Sequence, residues 1–500
     1  MPLTPEAIYT DFKKNILDKS SAIKSLIALI DNADNVNIRL ESIEVLEKIN
    51  AKDNFIFNIL ENLLISDAHD EIRALSTRVL KNLFSEKAIG PIKWALSHES
   101  SLKCLLTIVK TLGEINNTEA KSVLLKMFRE INKKKYKYNI KNLMEEKEVE
   151  NLSNIELSEI LANYYTISSL KLKYGYVKFD PNKKGVIINL DLSNVNSQGL
   201  GLYSLSDSLE AMLSLSFLKK LNLSNNHLKA LPEKLCNSSS LEQVDLSFNN
   251  LTRLPDSFSS FSNLKVLNLK SNRLRYLPES FGYLLSLESL ILRDNYLKSL
   301  PNSFSALISL KLLDLHHNRF REIPESLGSL NSLEQLELGW NQLETVPHVL
   351  NSLKFLKELN LGRNKIKKFP EWISSLNKLN KLHLNDNNLT TLPNSISLLK
   401  NLEELNLRNN KLNALPESIS SLSSLKVLNL SWNNLSYLPD WIESMISLEM
   451  LNLWGNKLKD VPKSIESLQN LKTLYLNSNK MVDLPDSIIK LKEKGVAVKI

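Results

Sequence analysis

A 23-residue unit recurs twelve times without interruption from Leu218 to Leu491. Its ninth position is asparagine in every copy: Asn226, Asn249, Asn272, Asn295, Asn318, Asn341, Asn364, Asn387, Asn410, Asn433, Asn456 and Asn479. The copy holding Leu402, Leu405, Leu407, Asn410, Leu412, Leu415, Pro416, Ile419 and Leu422 is representative. Its Leu-x-Leu step alternates with period two, which predicts a short strand with Leu405 and Leu407 inward and Glu404, Asn406 and Arg408 outward. No single unit can bury its own leucines, so successive units must stack into a solenoid with one continuous core. The asparagines are expected to form a structural ladder. Where the chain leaves the strand inside the stack, an amide with two donors and an acceptor can satisfy backbone groups from one unit to the next. A proline at position fifteen, from Pro232 to Pro485, fixes the return path and removes a donor. Little chain is left there, which predicts short helical turns or irregular segments on the convex side.

The N-terminal third has a helical rhythm. Ala22, Ile23, Leu26, Ile27 and Ile30 form one apolar stripe, and Ile38, Ile43, Leu46 and Ile49 a second. Ile56, Ile59, Leu60, Leu63 and Leu64 are followed by Ile72, Leu75, Val79, Leu80 and Leu83. A further pair spans Ala88–Ser97 and Leu102–Ile115, and a single helix Glu119–Ile131. Asp34 and Asp70 precede the second helices of the first two pairs and are expected to cap them. Arg39 and Arg73, 34 residues apart, are expected to bridge neighbouring pairs. With these residues the segment from Ser20 to Ile131 resembles HEAT repeats of the shorter prokaryotic kind, although the third pair has Lys103 near the place of the arginine. Beyond it, Leu152–Tyr165 predicts an amphipathic helix, and the stretch from Tyr174 to Phe179 a strand. The stretch from Gly185 to Ser193 predicts a degenerate first repeat whose asparagine has moved to Asn194 or Asn196.

The chain carries 63 Lys+Arg and 55 Asp+Glu among 500 residues, 23 against 22 in residues 1–150 and 40 against 33 in the rest. The densest basic run, Lys133–Lys137, is followed by acidic residues from Glu145 to Glu150, as on a solvated linker or helix face. Two distant cysteines, Cys104 and Cys236, argue against a disulfide framework. The N-terminus lacks a basic region followed by an apolar stretch, and no run is long enough to span a bilayer. A cytoplasmic location is expected. There is no Gly-Lys-Ser/Thr loop, no Gly-x-Ser-x-Gly elbow, no His-Glu-x-x-His and no Cys-x-x-Cys. No enzyme and no cofactor are therefore expected.

Positions three, five, seven and eight of each unit form an outward grid. On it lie Trp340 and Trp432, with Phe248, at position eight, Trp454 at seven and Tyr475 at five; Trp432, Trp454 and Tyr475 make a diagonal across three strands. Exposed aromatics of this kind dominate binding hot spots. Arg293, His316, His317, Arg363, His383 and Arg408 share the grid with Asp245, Asp294, Asp314, Glu337 and Asp386. This mixture points to a protein partner, because a phosphate backbone would favour a continuous basic stripe. His316, His317 and His383 lack the geometry and companion cysteines of a metal site.

The Leu-x-x-Leu-x-Leu-x-x-Asn unit with its Leu-Pro-x-x-Ile/Phe-x-x-Leu tail is the leucine-rich repeat pattern. At 23 residues it resembles the intracellular Ras-group repeat proteins, including the Ras-suppressor type, over residues 218–491. The resemblance implies a protein-binding scaffold acting around small GTPases or phosphatases through its concave face. The expected organisation is a HEAT-like helical domain over 1–131 and a linker and cap over 132–184. A degenerate repeat over 185–217, twelve repeats over 218–493 and a closing strand over 494–500 complete it. The expected fold class is an α-helical solenoid followed by an α/β solenoid with its parallel sheet on the concave face. The expected function is a non-enzymatic adaptor for a protein partner. The alternatives are a secreted effector that meets host proteins, or a nucleic-acid-binding scaffold using Lys133–Lys137 and basic grid positions.

Overall fold

The computed structural model describes residues 4–133, 149–175, 177–195 and 212–500. The lysines at 134–137, the acidic stretch 145–148, Tyr176 and Asn196 lie outside the described residues. By contacts the chain divides into two compact bodies, residues 1–191 with 206–219, and residues 192–205 with 220–500.

The first body is a helical repeat region. Its helices are α1 (Pro5–Lys13), α2 (Lys19–Asn32), α3 (Val36–Lys48), α4 (Asn54–Ser66), α5 (Asp70–Phe84), α6 (Ile89–His98), α7 (Leu102–Glu114), α8 (Thr118–Lys133) and α9 (Asn154–Tyr174). The apolar stripes meet in one core that includes Leu26, Ile30, Ile43, Leu46, Leu60, Ile72, Leu80, Ile108, Leu112 and Leu161. Caps set several starts: Asp18 accepts the Ser21 N–H and Asp53 that of Ile56, while Ser153 and Glu156 form a reciprocal capping box. The expected caps at Asp34 and Asp70 are not made. Asn35 caps α3 instead, and α5 begins after His69 with Asp70 already in its first turn, accepting from the Ser101 hydroxyl at 2.7 Å. At α3 the cap comes one residue later than expected, because Asn serves as well as Asp; at α5 the cap place comes one residue earlier, on His69, which makes no side-chain cap. The arginines do bridge. Arg39 binds the Ile30 carbonyl and the Asp67 carboxylate, and Arg73 makes a two-pronged pair with Glu99 at 2.9 and 3.0 Å. Each acid belongs to the following helix pair, so a repeated ion pair ties one pair to the next.

Helix α9 crosses α7 closely. A side chain on Gly113 would collide with Ser158, whose hydroxyl lies 2.1 Å from where a Cβ would stand. α9 continues to Tyr174, so the expected strand at that residue starts only at Lys178. There β1 (Lys178–Pro181) pairs antiparallel with β2 (Ile187–Asp191).

In the second body, strands β3 (Lys220–Asn222) to β15 (Ala497–Lys499) lie side by side in chain order, all parallel. Each repeat contributes a three-residue strand whose middle residue is buried, as Leu382 pairs with Leu405 and Leu405 with Leu428. Five-residue 3-10 turns on the return path each follow the repeat proline, whose extended backbone sets up the turn, for example Pro416 before Glu417–Ser421. Phe258, Phe281 and Phe304 stack behind them at 6.1 and 6.3 Å. The last repeat departs from this plan. Its return segment is a true helix, α10 (Asp486–Glu493), which buries Ile488 and Leu491 and leads into β15 beside β14 (Thr473–Tyr475).

The asparagine ladder is made as its chemistry requires. Asn272 donates from Nδ2 to the carbonyls of Leu246 in the preceding repeat and Leu269 in its own, at 2.9 and 3.1 Å, and its Oδ1 accepts the Leu251 N–H at 3.0 Å. The same set recurs from Asn249 to Asn479. Before repeat 1, Leu192 donates to Asn222 as position six donates to the next position five elsewhere, which puts Asn194 at position eight and Val195 at the ladder place. The expected shift of the ladder asparagine to Asn194 is therefore corrected. Val195 contributes only its backbone N–H, to Asn226 Oδ1 at 3.0 Å.

Candidate protein-binding face

The outward face is shaped by a turn repeated at the end of each strand. Position five is Asn or Asp in most repeats, and its side-chain oxygen accepts the N–H two residues on. Asp245 holds Ser247, Asp314 holds His316, Asn360 holds Gly362 and Asn452 holds Trp454, at 2.8 to 3.1 Å. The next residue, position eight, then adopts a left-handed backbone in all twelve repeats, φ running from 53° at Trp340 and Asn409 to 71° at Gly455. Its N–H bonds the position-seven carbonyl of the following repeat, as Trp340 does to Gly362 at 2.9 Å. Asn, Asp, Ser and Gly accept this conformation easily, but it costs a bulky side chain about 1–2 kcal/mol. Phe248, Trp340 and Trp432 sit there nonetheless, with their rings about half exposed. Asp245 and Asp314 thus serve the backbone as well as standing on the grid.

The candidate residues fall into separate groups. In repeats 4 to 7, Arg363 stacks its guanidinium 4.1 Å from the Trp340 ring centroid, His317 lies 5.4 Å from the same ring, and His317 Nδ1 meets Asp294 at 2.6 Å. His316 lies beneath, with its Nδ1 buried and unpartnered, and Arg293 Nε is 3.7 Å from Asp294, too far for a hydrogen bond. Burial, with Arg293 adding to it, pulls the His316 imidazole down to about 4, so it is neutral at ordinary pH. Burial pushes the neighbouring Asp314 and Glu337 carboxyls up; for Glu337 the Asn360 hydrogen bond opposes this and Asp314 reinforces it. Gly339 leaves room for the imidazole, since a Cβ there would stand 2.8 Å from His316. His383 is apart from this group, 3.4 Å from Glu404, and Arg408 is exposed just beyond the strand of the next repeat, Glu404–Asn406.

The second group is Trp432 and Trp454, ring centroids 5.5 Å apart. The Trp454 indole N–H donates to the Ser478 hydroxyl at 3.1 Å, and the Trp432 ring lies over Gly455, where a Cβ would stand 3.1 Å from it. Tyr475 is half-buried on the adjoining strand. At the other end of the array Phe248 stands by itself, with the Lys270 ammonium 5.3 Å from its ring. Among the described residues no group of three or more His, Cys, Asp or Glu could hold a metal ion, and no helix is long and apolar enough to cross a membrane.

Family models described as leucine-rich repeat region, leucine rich repeat and leucine rich repeats (2 copies) match residues 259–381 with 371–456, 216–274 and 446–489. A leucine-rich repeat protein of Leptospira interrogans is 31% identical, over 66% of this chain and 94% of its own, with a TM-score of 0.49. The chain belongs to the leucine-rich repeat family. An internalin from Listeria monocytogenes shares the fold at 21% identity, over 68% of this chain and 94% of its own, with a TM-score of 0.56. A chain from the Toll–Spatzle complex of Drosophila matches at 26% identity, over 58% and 41%, with a TM-score of 0.52. No curated protein matches the chain. Leucine-rich repeat domains generally mediate protein–protein interaction, and the proteins that carry them are typically non-catalytic.

Proposed function

We propose that this leucine-rich repeat protein is a non-enzymatic adaptor that holds a protein partner against the strand face, with Trp432 and Trp454 as the anchor. The observation that carries this reading is the cost of the arrangement. Trp432 is kept in a left-handed backbone, φ 54°, with its ring 46% exposed beside a second exposed indole. A core ring would be buried, and a solvent-facing position of this geometry would suit Asn or Gly better. Desolvating a rigid pair of indoles is the usual source of a binding hot spot. The Arg363–Trp340–His317–Asp294 group supplies polar contacts that fix orientation.

The helical body is, in this reading, a HEAT-like head, supported by the repeated Arg39–Asp67 and Arg73–Glu99 bridges. Two free, buried thiols, Cys104 and Cys236, support a reducing compartment such as the cytoplasm. A partner from small-GTPase signalling rests on the resemblance of the 23-residue unit alone. The test is quantitative affinity capture with the wild type, a Trp432→Ala/Trp454→Ala double variant and a Trp94→Ala control. The adaptor reading expects a partner held by wild type and control and lost by the double variant. Identical partner sets for all three would sink the anchor.

A further inference from the structure

The two ends of each strand carry different charge. Position two, just before the strand, alternates Glu and Lys over most of the array, and the pairs close: Lys265–Glu242, Lys311–Glu288, Lys357–Glu334, Lys426–Glu403 and Lys472–Glu449 lie at 2.6 to 3.1 Å. That edge neutralises itself. The edge after the strand does not. There position eleven is buried and positions ten and twelve face solvent, and in repeats 3 to 5 these hold Arg273, Arg275, Lys298, Arg319 and Arg321. Among the described residues none of the five pairs with a carboxylate, and Glu322 is the one acid at positions ten, twelve or thirteen of these repeats. Repeat 7 resumes the row with Lys365 and Lys367 after Gln342 and Glu344 in repeat 6.

Backbone hydrogen bonds hold this row straight. The position-ten N–H of each repeat donates to the position-eleven carbonyl of the one before, Arg273 to Leu251, Tyr296 to Leu274, Arg319 to Leu297 and Lys365 to Leu343, at 2.8 to 2.9 Å. The cations therefore advance in register with the strands, about 4.8 Å per repeat and about 20 Å from repeat 3 to repeat 7. Two rings are interleaved with them. Tyr276 and Tyr296 are 56% and 40% exposed, and the Arg319 guanidinium lies 4.4 Å from the Tyr296 ring centroid.

We infer that this edge, separate from the tryptophan anchor, binds single-stranded nucleic acid. The charge is complementary to a chain of phosphates, and an acid-poor row of unpaired Arg and Lys is far more positive than protein–protein interfaces are. A basic track with exposed aromatics beside it is the arrangement on which unpaired bases stack while the backbone follows the cations. It is read from the repeat positions that flank the grid, which is why the grid alone gives no continuous basic stripe.

The experiment measures binding of a fluorescein-labelled oligo(U) of about 15 nucleotides to the full chain by anisotropy across a salt series. Arg273→Gln/Arg275→Gln/Arg319→Gln should weaken binding at least tenfold at low salt and reduce the slope of log K against log salt by about 2. Lys265→Gln/Lys311→Gln/Lys357→Gln, which removes the same charge from the paired edge, should leave both nearly unchanged. Tyr276→Ala/Tyr296→Ala, which keeps every charge, should weaken oligo(U) by about tenfold while leaving heparin untouched. No binding at low salt overturns the inference, as does equal loss from either triple variant. Tighter binding to a poly-glutamate peptide than to oligo(U), or indifference of oligo(U) to the tyrosines, also overturns it, pointing to an acidic protein or a generic polyanion instead. Matching thermal melts of all variants exclude misfolding as the cause of a loss.

Discussion

The indole of Trp432 rests on the backbone of Gly455, one repeat further on, so closely that a methyl group at 455 would stand 3.1 Å from the ring. Position eight is a bulky residue in one repeat and absent as a side chain in the next, and the ring fills the place the missing side chain leaves.

Gly455→Ala should therefore act twice. Glycine at 455 has φ 71°, where an added Cβ costs about 1–2 kcal/mol, and the new methyl group displaces the Trp432 ring. The expected result is a loss of about 1–2 kcal/mol in urea unfolding with a shift in tryptophan emission. Gly495→Ala, at φ 89° but with open space around it, should cost similar stability and leave the emission unchanged.

The ladder predicts a difference between its interior and its last rung. Asn341→Ala removes an acceptor for the Phe320 N–H and donors to the Leu315 and Leu338 carbonyls, all buried. Each orphaned group costs roughly 1–3 kcal/mol, so a loss of at least ~3 kcal/mol is expected. Asn479→Ala, at a partly exposed place in the last repeat, should cost less, because water can replace part of what is lost. Equal costs at both sites, measured by chemical denaturation, would contradict the ladder as a buried-group device.

How much of this was legible in the sequence depended on the direction of reading. The solenoid, its register and the role of the ninth-position asparagine follow from one 23-residue unit, because an invariant amide next to inward leucines has few other uses. The left-handed turn at position eight was written in the sequence too, but in the column and not along the chain. Asn225, Ser271, Asp294, Asp386, Asn409, Gly455 and Ser478 share that column, and small polar residues of this kind mark positive φ. Reading the column only for its aromatics gave Trp340 and Trp432 as exposed rings and missed their strain. The Glu/Lys alternation at position two and the unpaired arginines at position ten are likewise invisible to a count along the chain, where they average to a thin excess. In the helical body the limit was chemical: Asp34 and Asn35 can both cap a helix, and spacing alone does not choose between them.

The Arg73–Glu99 pair makes stability depend on acid. Burial alone would raise the Glu99 carboxyl, but the Arg73 guanidinium and the Ser101 N–H outweigh it and bring it down to about 2. A carboxyl depressed in the folded state contributes stability that is complete above its unfolded value near 4.5 and is lost as pH falls through 2. With the Glu99 side chain 5% exposed, Glu99→Gln should cost roughly 2 kcal/mol at pH 7. The gap between wild type and variant should close between pH 4.5 and pH 2 in thermal melts. A gap that persists unchanged at pH 2 would assign the stabilisation to packing and not to charge.

Trp432→Asn separates the two accounts of that ring. If Trp432 were a core residue, removing it would cost about 3–5 kcal/mol. As a strained, exposed ring it should cost little. Asparagine tolerates the left-handed backbone and recovers about 1–2 kcal/mol of strain, which offsets the ~0.5–1.5 kcal/mol lost with the Trp454 contact. The expected unfolding midpoint is thus within about 1 kcal/mol of wild type, while capture of the protein partner falls at least tenfold. Stability and binding would then move independently at one position, as they should where backbone strain is retained for recognition. A variant that loses several kcal/mol, or one that binds its partner as before, would remove Trp432 from the anchor.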